Sequence, residues 1–175
     1  MVALAFILLC SSGVQSPAVQ SCPSFARIAD VPGKGRGVVA TEDLKQHTVV
    51  GDYVGEHLTE KEKDRRYLAS YQHERTKEDI AWLESREERG QTATGDYLFG
   101  VTGVDVFIDA EDEERSNWTR FLNHDSDPNL RVKSLPSAID GNPRVFFVAS
   151  RDISKDEELC FSYGDDYWRP DDDVA

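Results

Sequence analysis

Arg120-Phe-Leu-Asn-His-Asp-Ser-Asp-Pro-Asn129 is the stretch on which the reading of this chain turns, and its counterpart is Glu158-Leu-Cys-Phe-Ser-Tyr-Gly164. Asn123 and His124 set an amide beside an imidazole. Together they supply donors and acceptors able to fix the polar groups of a ligand. Tyr163 closes the apolar pattern from Leu159 to Tyr163, which reads as the last strand of the chain. Upstream lies Gly33-Lys-Gly-Arg-Gly37. Glycine permits tight turns and close backbone approach to a ligand, although such a pattern alone is commonly only a turn. The conjunction of the segments, in this order, carries more than any one of them.

The Arg-Phe-x-Asn-His-x-x-x-Pro-Asn and Glu-Leu-x-Phe-x-Tyr-Gly segments resemble the paired signature of the SET-domain protein lysine methyltransferases. The Su(var)-type histone methyltransferases and the compact viral SET proteins are nearest in motif. The resemblance runs from Ser24 to about Trp168. It implies an α+β, mainly β fold of several small curled sheets with a helical insert. It also implies a pseudoknot-like crossing, in which the C-terminal segment passes under the loop carrying Asn123 and His124. Threading of this kind is rare. The implied activity is methyl transfer from S-adenosylmethionine to a protein lysine, with a histone tail as the expected substrate. A non-histone protein lysine and a catalytically inactive SET-fold binding module are the alternatives.

By the same resemblance, Lys34, Gly35 and Arg36 form the cofactor loop, while Arg120, Asn123 and His124 hold the cofactor's polar groups. Tyr53 and Tyr97 line the lysine channel and flank the cofactor, and Tyr167 and Trp168 close over the adenine. Tyr163 is the expected catalytic residue, its hydroxyl lying near the sulfonium and orienting the amine. An aromatic tube suits a cationic amine through cation–π attraction. Phe161 matches a position where Phe rather than Tyr leaves room for further methyl groups, which implies di- or trimethylation. Some positions depart from the family's pattern. Arg36 stands where Trp is common, and Asp125-Ser126 follow His124 where Ser-Cys is usual. The Cys-x-Cys-x-x-x-x-Cys zinc module of the larger enzymes has no counterpart before Ala175, so no metal is expected. The chain then reads as a compact zinc-free enzyme or as a truncated product.

The 175 residues suit one domain, and 39% hydrophobic with 30% charged residues suit a folded globule. A net charge of −13 argues against a sequence-independent grip on nucleic acid, which depends on Lys and Arg neutralising phosphates. The same field attracts a basic partner such as a histone tail. Three cysteines, Cys10, Cys22 and Cys160, are too few and too scattered for a disulfide framework or zinc cluster. Cys160 reads as a small buried hydrophobe. Homodimerisation is left open.

Residues 1–23 form an apolar leader whose run from Val2 to Cys10 resembles a signal-peptide core, without Lys or Arg before Arg27. It is too short to span a bilayer. A cleaved secretory signal, a plastid-type presequence and an artefact of the gene start all remain open, against the nuclear, chromatin location that the family implies. The domain proper is expected over 24–168, with a helical insert over 57–95 and an acidic tail over 169–175. Strands are expected at Gly37–Ala40, around Thr48–Val50, and at Pro143–Ala149. Glu42–Lys45 reads as the turn between the first two, and Asp96–Phe99 with Val104–Ile108 as a hairpin. Thr59 with Glu62 forms a capping box that opens the insert, whose dense charge reads as a solvated helix face.

Overall fold

The computed structural model describes residues 21–138, 141–164 and Tyr167. The leader to residue 20, Trp168 and the acidic tail lie outside these. Among the described residues no helix is long and apolar enough to cross a membrane. Strand β1 (Ala26–Val31) turns back into β2 (Gly35–Ala40) as an antiparallel hairpin. Gly33 and Gly35 both take positive φ there, at 77° and 74°, the region L side chains avoid. Strands β3 (Val49–Asp52), β8 (Leu130–Leu135) and β9 (Arg144–Ala149) form a sheet with β9 in the middle. Strands β4 (Glu56–Leu58), β5 (Leu98–Gly100) and β6 (Phe107–Asp109) form another, with β6 central.

Alternation explains why β9 is central. Val145, Phe147 and Ala149 are wholly buried and face a core that includes Val38, Leu122, Leu130, Ile153 and Leu159. The fourth sheet is short and decides the site: β7 (Asn123–His124) pairs in parallel with β10 (Cys160–Phe161). Leading into β10, the segment Glu157–Leu159 is held by β2 on one side, through Ala40 N–H to Glu157 O at 2.9 Å and Leu159 N–H to Val38 O at 2.8 Å. On the other side Asn129 clasps it, donating to Glu158 O at 2.7 Å and accepting from Cys160 N–H at 2.9 Å. The last segment therefore runs between β2 and the Asn123–Asn129 loop.

The insert begins where the sequence reading puts it. Helix α1 (Glu60–Tyr67) starts on the Thr59–Glu62 capping box. It does not continue to Arg89. A 3₁₀ stretch at Ala69–Glu74 intervenes, and a second capping box, Thr76 with Asp79, opens α2 (Lys77–Glu88). The charge is not all solvated either. Asp109, Glu111 and Asp112 are buried, and each meets an arginine of the insert: Arg66 at 3.4 Å, Arg86 at 3.5 Å and Arg89 at 3.0 Å. These pairs bolt the insert onto the β4–β6–β5 sheet. Removing one partner of a buried pair strands the other charge, at a cost of roughly 3–5 kcal/mol.

Other expectations change in detail. Strands β1 and β8 were not among the strands expected, although β8 alternates more buried with more exposed residues from Leu130 onward. Glu42–Lys45 lies between β2 and β3 as expected, although those strands pair with β1 and β9 rather than with each other. The Asp96–Ile108 hairpin forms, with pairing confined to Leu98–Gly100 and Phe107–Asp109. The final strand covers only Cys160–Phe161, since Tyr163 leaves the ladder to bond His124.

Candidate active site

The β7–β10 pairing sets Asn123 opposite Cys160 and His124 opposite Phe161, which joins the two motif halves. Asn123 Nδ2 donates to Glu158 Oε1 at 2.8 Å and to the backbone carbonyl of Arg36 at 3.2 Å. The amide thus ties the glycine-rich hairpin to the C-terminal segment. Gly37 is required at this crossing: a Cβ there would lie 2.5 Å from Val31 and 2.8 Å from both Asn123 Nδ2 and Glu158 Oε1. His124 Nδ1 accepts the Tyr163 N–H at 3.2 Å.

Lys34 reaches across the hairpin tip. Its Nζ donates to His124 O at 3.2 Å, to Glu158 at 3.2 Å and to Asp125 at 3.5 Å. Asp125, the departure from the family's pattern, is therefore a partner of the glycine-rich loop. The Asp127 N–H at 3.0 Å, with Lys34 beside it, holds its carboxyl below the ordinary range. Arg36 pairs with Glu113 at 2.7 Å and lies 4.2 Å over the Phe121 ring. Its side chain is engaged beside the mouth, and its carbonyl is engaged by Asn123.

Arg120 lines the cavity and is also built into its wall. It is buried and donates to Ala110 O at 2.9 Å, Glu111 O at 3.2 Å and Glu113 at 2.9 Å. Its guanidinium sits 4.0 Å over the Tyr97 ring. It borders the cavity as the support under Tyr97.

Lys34, Arg36, Asn123 and His124 border the polar end of a cavity of about 740 Å³, and Tyr53, Tyr97, Phe99, Phe161, Tyr163 and Tyr167 form its aromatic wall. The rings touch in sequence: Tyr53–Phe99 at 5.4 Å, Phe99–Phe161 at 5.9 Å, Phe161–Tyr163 at 4.8 Å and Tyr163–Tyr167 at 4.5 Å between centroids. Phe147 backs Phe161 from the core at 4.9 Å. Tyr53 donates its hydroxyl to Tyr97 O at 2.8 Å, and Tyr163 donates to Leu122 O at 2.9 Å. Burial pushes both phenols above their ordinary value, so both keep their protons at neutral pH. Neither is a base. Each instead offers oxygen lone pairs to an approaching N–H. Cys160 is buried, and desolvation raises its thiol to about 12, which leaves it inert.

Of the site residues proposed from sequence, all that the structure describes line this cavity except Gly35, which sits between Lys34 and Arg36 without lining it; Trp168 lies outside the described residues. Phe99, Glu158 and the Leu122 carbonyl were not assigned site roles from sequence. The i, i+2 spacing of Tyr97 and Phe99 at the start of β5 could have marked Phe99. No sequence signal marks a backbone carbonyl.

Comparison with known proteins agrees with this geometry. A family model for the SET domain matches residues 35–164. The chain is 34% identical over 137 residues to N-lysine methyltransferase KMT5A-A of Xenopus laevis, covering 77% of this chain and 35% of that protein. It is 28% identical over 156 residues to histone-lysine N-methyltransferase SUV39H1 of Xenopus laevis, covering 88% and 32%. The probable histone-lysine N-methyltransferase set-23 of Caenorhabditis elegans is 34% identical over 133 residues, covering 75% and 46%. The chain thus spans from about a third to under a half of these relatives' lengths. With the model covering most of its length, the chain belongs to the SET-domain family.

Proposed function

We propose that this protein is an S-adenosylmethionine-dependent protein lysine N-methyltransferase acting on a basic protein segment, a histone tail being the best match. The observation that carries the reading is the β7–β10 pairing, which sets Asn123, His124 and Tyr163 on one cavity next to the glycine-rich hairpin. The histone-lysine substrates in the relatives' names and the net charge of −13 both favour a basic partner such as a histone tail.

The residues present fit the cofactor. The cavity of about 740 Å³ is within the range of small-molecule sites. Its polar end offers the Lys34 loop, Asn123 and His124 to the amino-acid and nucleoside groups. Its aromatic end suits a sulfonium or an alkylammonium. When bound, S-adenosylmethionine supplies an electrophilic methyl group. The chain's own residues hold and orient. The hydroxyls of Tyr53 and Tyr163, their protons committed to Tyr97 O and Leu122 O, can each accept an N–H of the lysine amine. An amine of pKa near 10.4 is mostly protonated at neutral pH, and freeing it costs about 4.6 kcal/mol at pH 7. Tyr53 and Tyr163 cannot take that proton, so it leaves to solvent through the open mouth. Desolvation by the aromatic wall lowers the cost. Phe161 brings no hydroxyl to the wall, so room remains for a partly methylated nitrogen; the expected products are di- and trimethyl-lysine.

The test is radiolabelled methyl transfer to a panel of core histones, with mass spectrometry of the modified site. Label on a lysine side chain is expected. Cofactor binding by calorimetry with no transfer to any histone or other basic protein would overturn the catalytic reading and leave a binding module.

A further inference from the structure

We propose that Glu111 is a positioning residue for the candidate active site, setting the Tyr97 carbonyl and, through it, the hydroxyl of Tyr53. The proposal rests on the methyltransferase reading and extends it to a residue that borders neither cavity nor motif.

The Tyr97 carbonyl receives two hydrogen bonds, from the Tyr53 hydroxyl at 2.8 Å and from the Ala110 N–H at 3.1 Å. The direction of the Tyr53 lone pairs therefore depends on where that carbonyl lies. Upstream of Tyr97, the chain leaves the insert through Thr94 and Gly95, and Glu111 clamps this exit. Its carboxylate accepts from Thr94 N–H at 3.2 Å, Gly95 N–H at 3.1 Å and the Thr94 hydroxyl at 3.4 Å. Glu111 is buried, and Arg86 of α2 reaches both its carboxylate at 3.5 Å and its carbonyl at 3.3 Å. The same carbonyl accepts from Arg120 at 3.2 Å, and Arg120 lies against the face of the Tyr97 ring. Glu111 thus fixes Tyr97 twice, at the backbone before it and through the cation beneath its ring.

The opposite side of the exit is equally tight. Gly95 has φ of 78°, and a Cβ there would come within 3.2 Å of the Tyr67 ring. Tyr67 donates to Asp109 at 2.6 Å, and Asp109 accepts the Glu111 N–H at 2.9 Å. The exit thus lies between the Tyr67 ring, which leaves no room for a side chain at 95, and the Glu111 carboxylate. A buried carboxylate gathering two backbone N–H groups and a hydroxyl, all adjacent to a channel tyrosine, does more than stabilise a loop.

The test is a double-mutant cycle between Glu111→Gln and Tyr53→Phe. It is read on kcat and KM for methyl transfer, on cofactor affinity, and on amide hydrogen exchange. Glu111→Gln puts an NH2 against N–H donors and should lower kcat about tenfold while cofactor Kd moves less than about threefold. The double variant should lose clearly less than the product of the two single losses, because both act on one hydroxyl. Exchange should quicken at Thr94 and Gly95 and also at Ala110, whose amide bonds the Tyr97 carbonyl. Multiplicative losses in kcat, or exchange confined to Thr94 and Gly95, overturns the proposal. If Glu111→Gln does not fold, Thr94→Ala removes the hydroxyl's bond to Glu111, together with the one it accepts from the Asp96 N–H, and is read by the same criteria. If the parent transfers no methyl group at all, the methyltransferase reading fails by itself, and exchange at Ala110 still decides the positioning role.

Discussion

The Tyr163 N–H donates to His124 Nδ1 at 3.2 Å, and the two rings meet edge to face with centroids 5.5 Å apart. With Nδ1 accepting, the ring proton of a neutral His124 lies on Nε2. The histidine of one motif half thereby holds the tyrosine of the other, and neither can move without the other.

Tyr163→Phe is expected to lower turnover at least about tenfold while leaving cofactor affinity nearly unchanged. The hydroxyl bonds the Leu122 carbonyl on a residue that lines the cavity, and the ring contacts to Phe161 and Tyr167 survive the change. Steady-state kinetics beside calorimetry separates the two effects. Equal turnover in variant and parent would remove Tyr163 from the chemistry.

Asn123→Ala should weaken cofactor binding by about 1–3 kcal/mol, since Glu158 and the Arg36 carbonyl lose a partner and the hairpin loosens. His124→Ala should do the same by releasing the Tyr163 N–H. Calorimetry checks both, and affinity unchanged in the two variants would detach this loop from cofactor binding.

Phe161→Tyr is expected to shift products toward monomethyl-lysine. Phe161 packs on Phe99, Phe147 and Tyr163, and an added hydroxyl brings a hydrogen-bonding group worth about 0.5–1.5 kcal/mol to the aromatic end. Time-resolved mass spectrometry of peptide products gives the outcome. A parent that stops at monomethyl-lysine, with the variant identical, would reduce Phe161 to core packing.

Asp79 ties the insert together and should give it a pH signature. Burial works against its charge, but Arg65 at 2.7 Å and the Thr76 N–H at 2.9 Å prevail and hold the carboxyl below its ordinary range. A depressed carboxyl contributes stability above the unfolded value, about 3.9, and loses it as pH falls through the lower folded value. Asp79→Asn should destabilise the protein at neutral pH by about 1–3 kcal/mol, with the difference fading below about pH 4. Urea denaturation of both proteins across pH measures this. A pH-independent difference would assign the loss to shape alone.

Much of this molecule is written locally. The Thr59–Glu62 capping box, the Val145–Phe147–Ala149 alternation and the glycines at 33 and 35 each specify their own backbone through side-chain hydrogen bonds, period or positive φ. The paired motifs likewise identify Asn123, His124 and Tyr163 before any coordinates. The tertiary structure alone decides what those residues face. Whether Arg66 and Arg86 are solvated or buried depends on Asp109 and Glu111, which a helical period in the insert does not encode. Arg120, at the cavity's edge, is locked under Tyr97 because the Ala110 and Glu111 carbonyls lie within its reach. Phe99 and the Leu122 carbonyl meet Phe161 and Tyr163 only because Glu157–Leu159 is held between β2 and Asn129. A sequence carries period and propensity; the partners of a buried charge or a free carbonyl are set by segments far apart in the chain, and only folding brings them together.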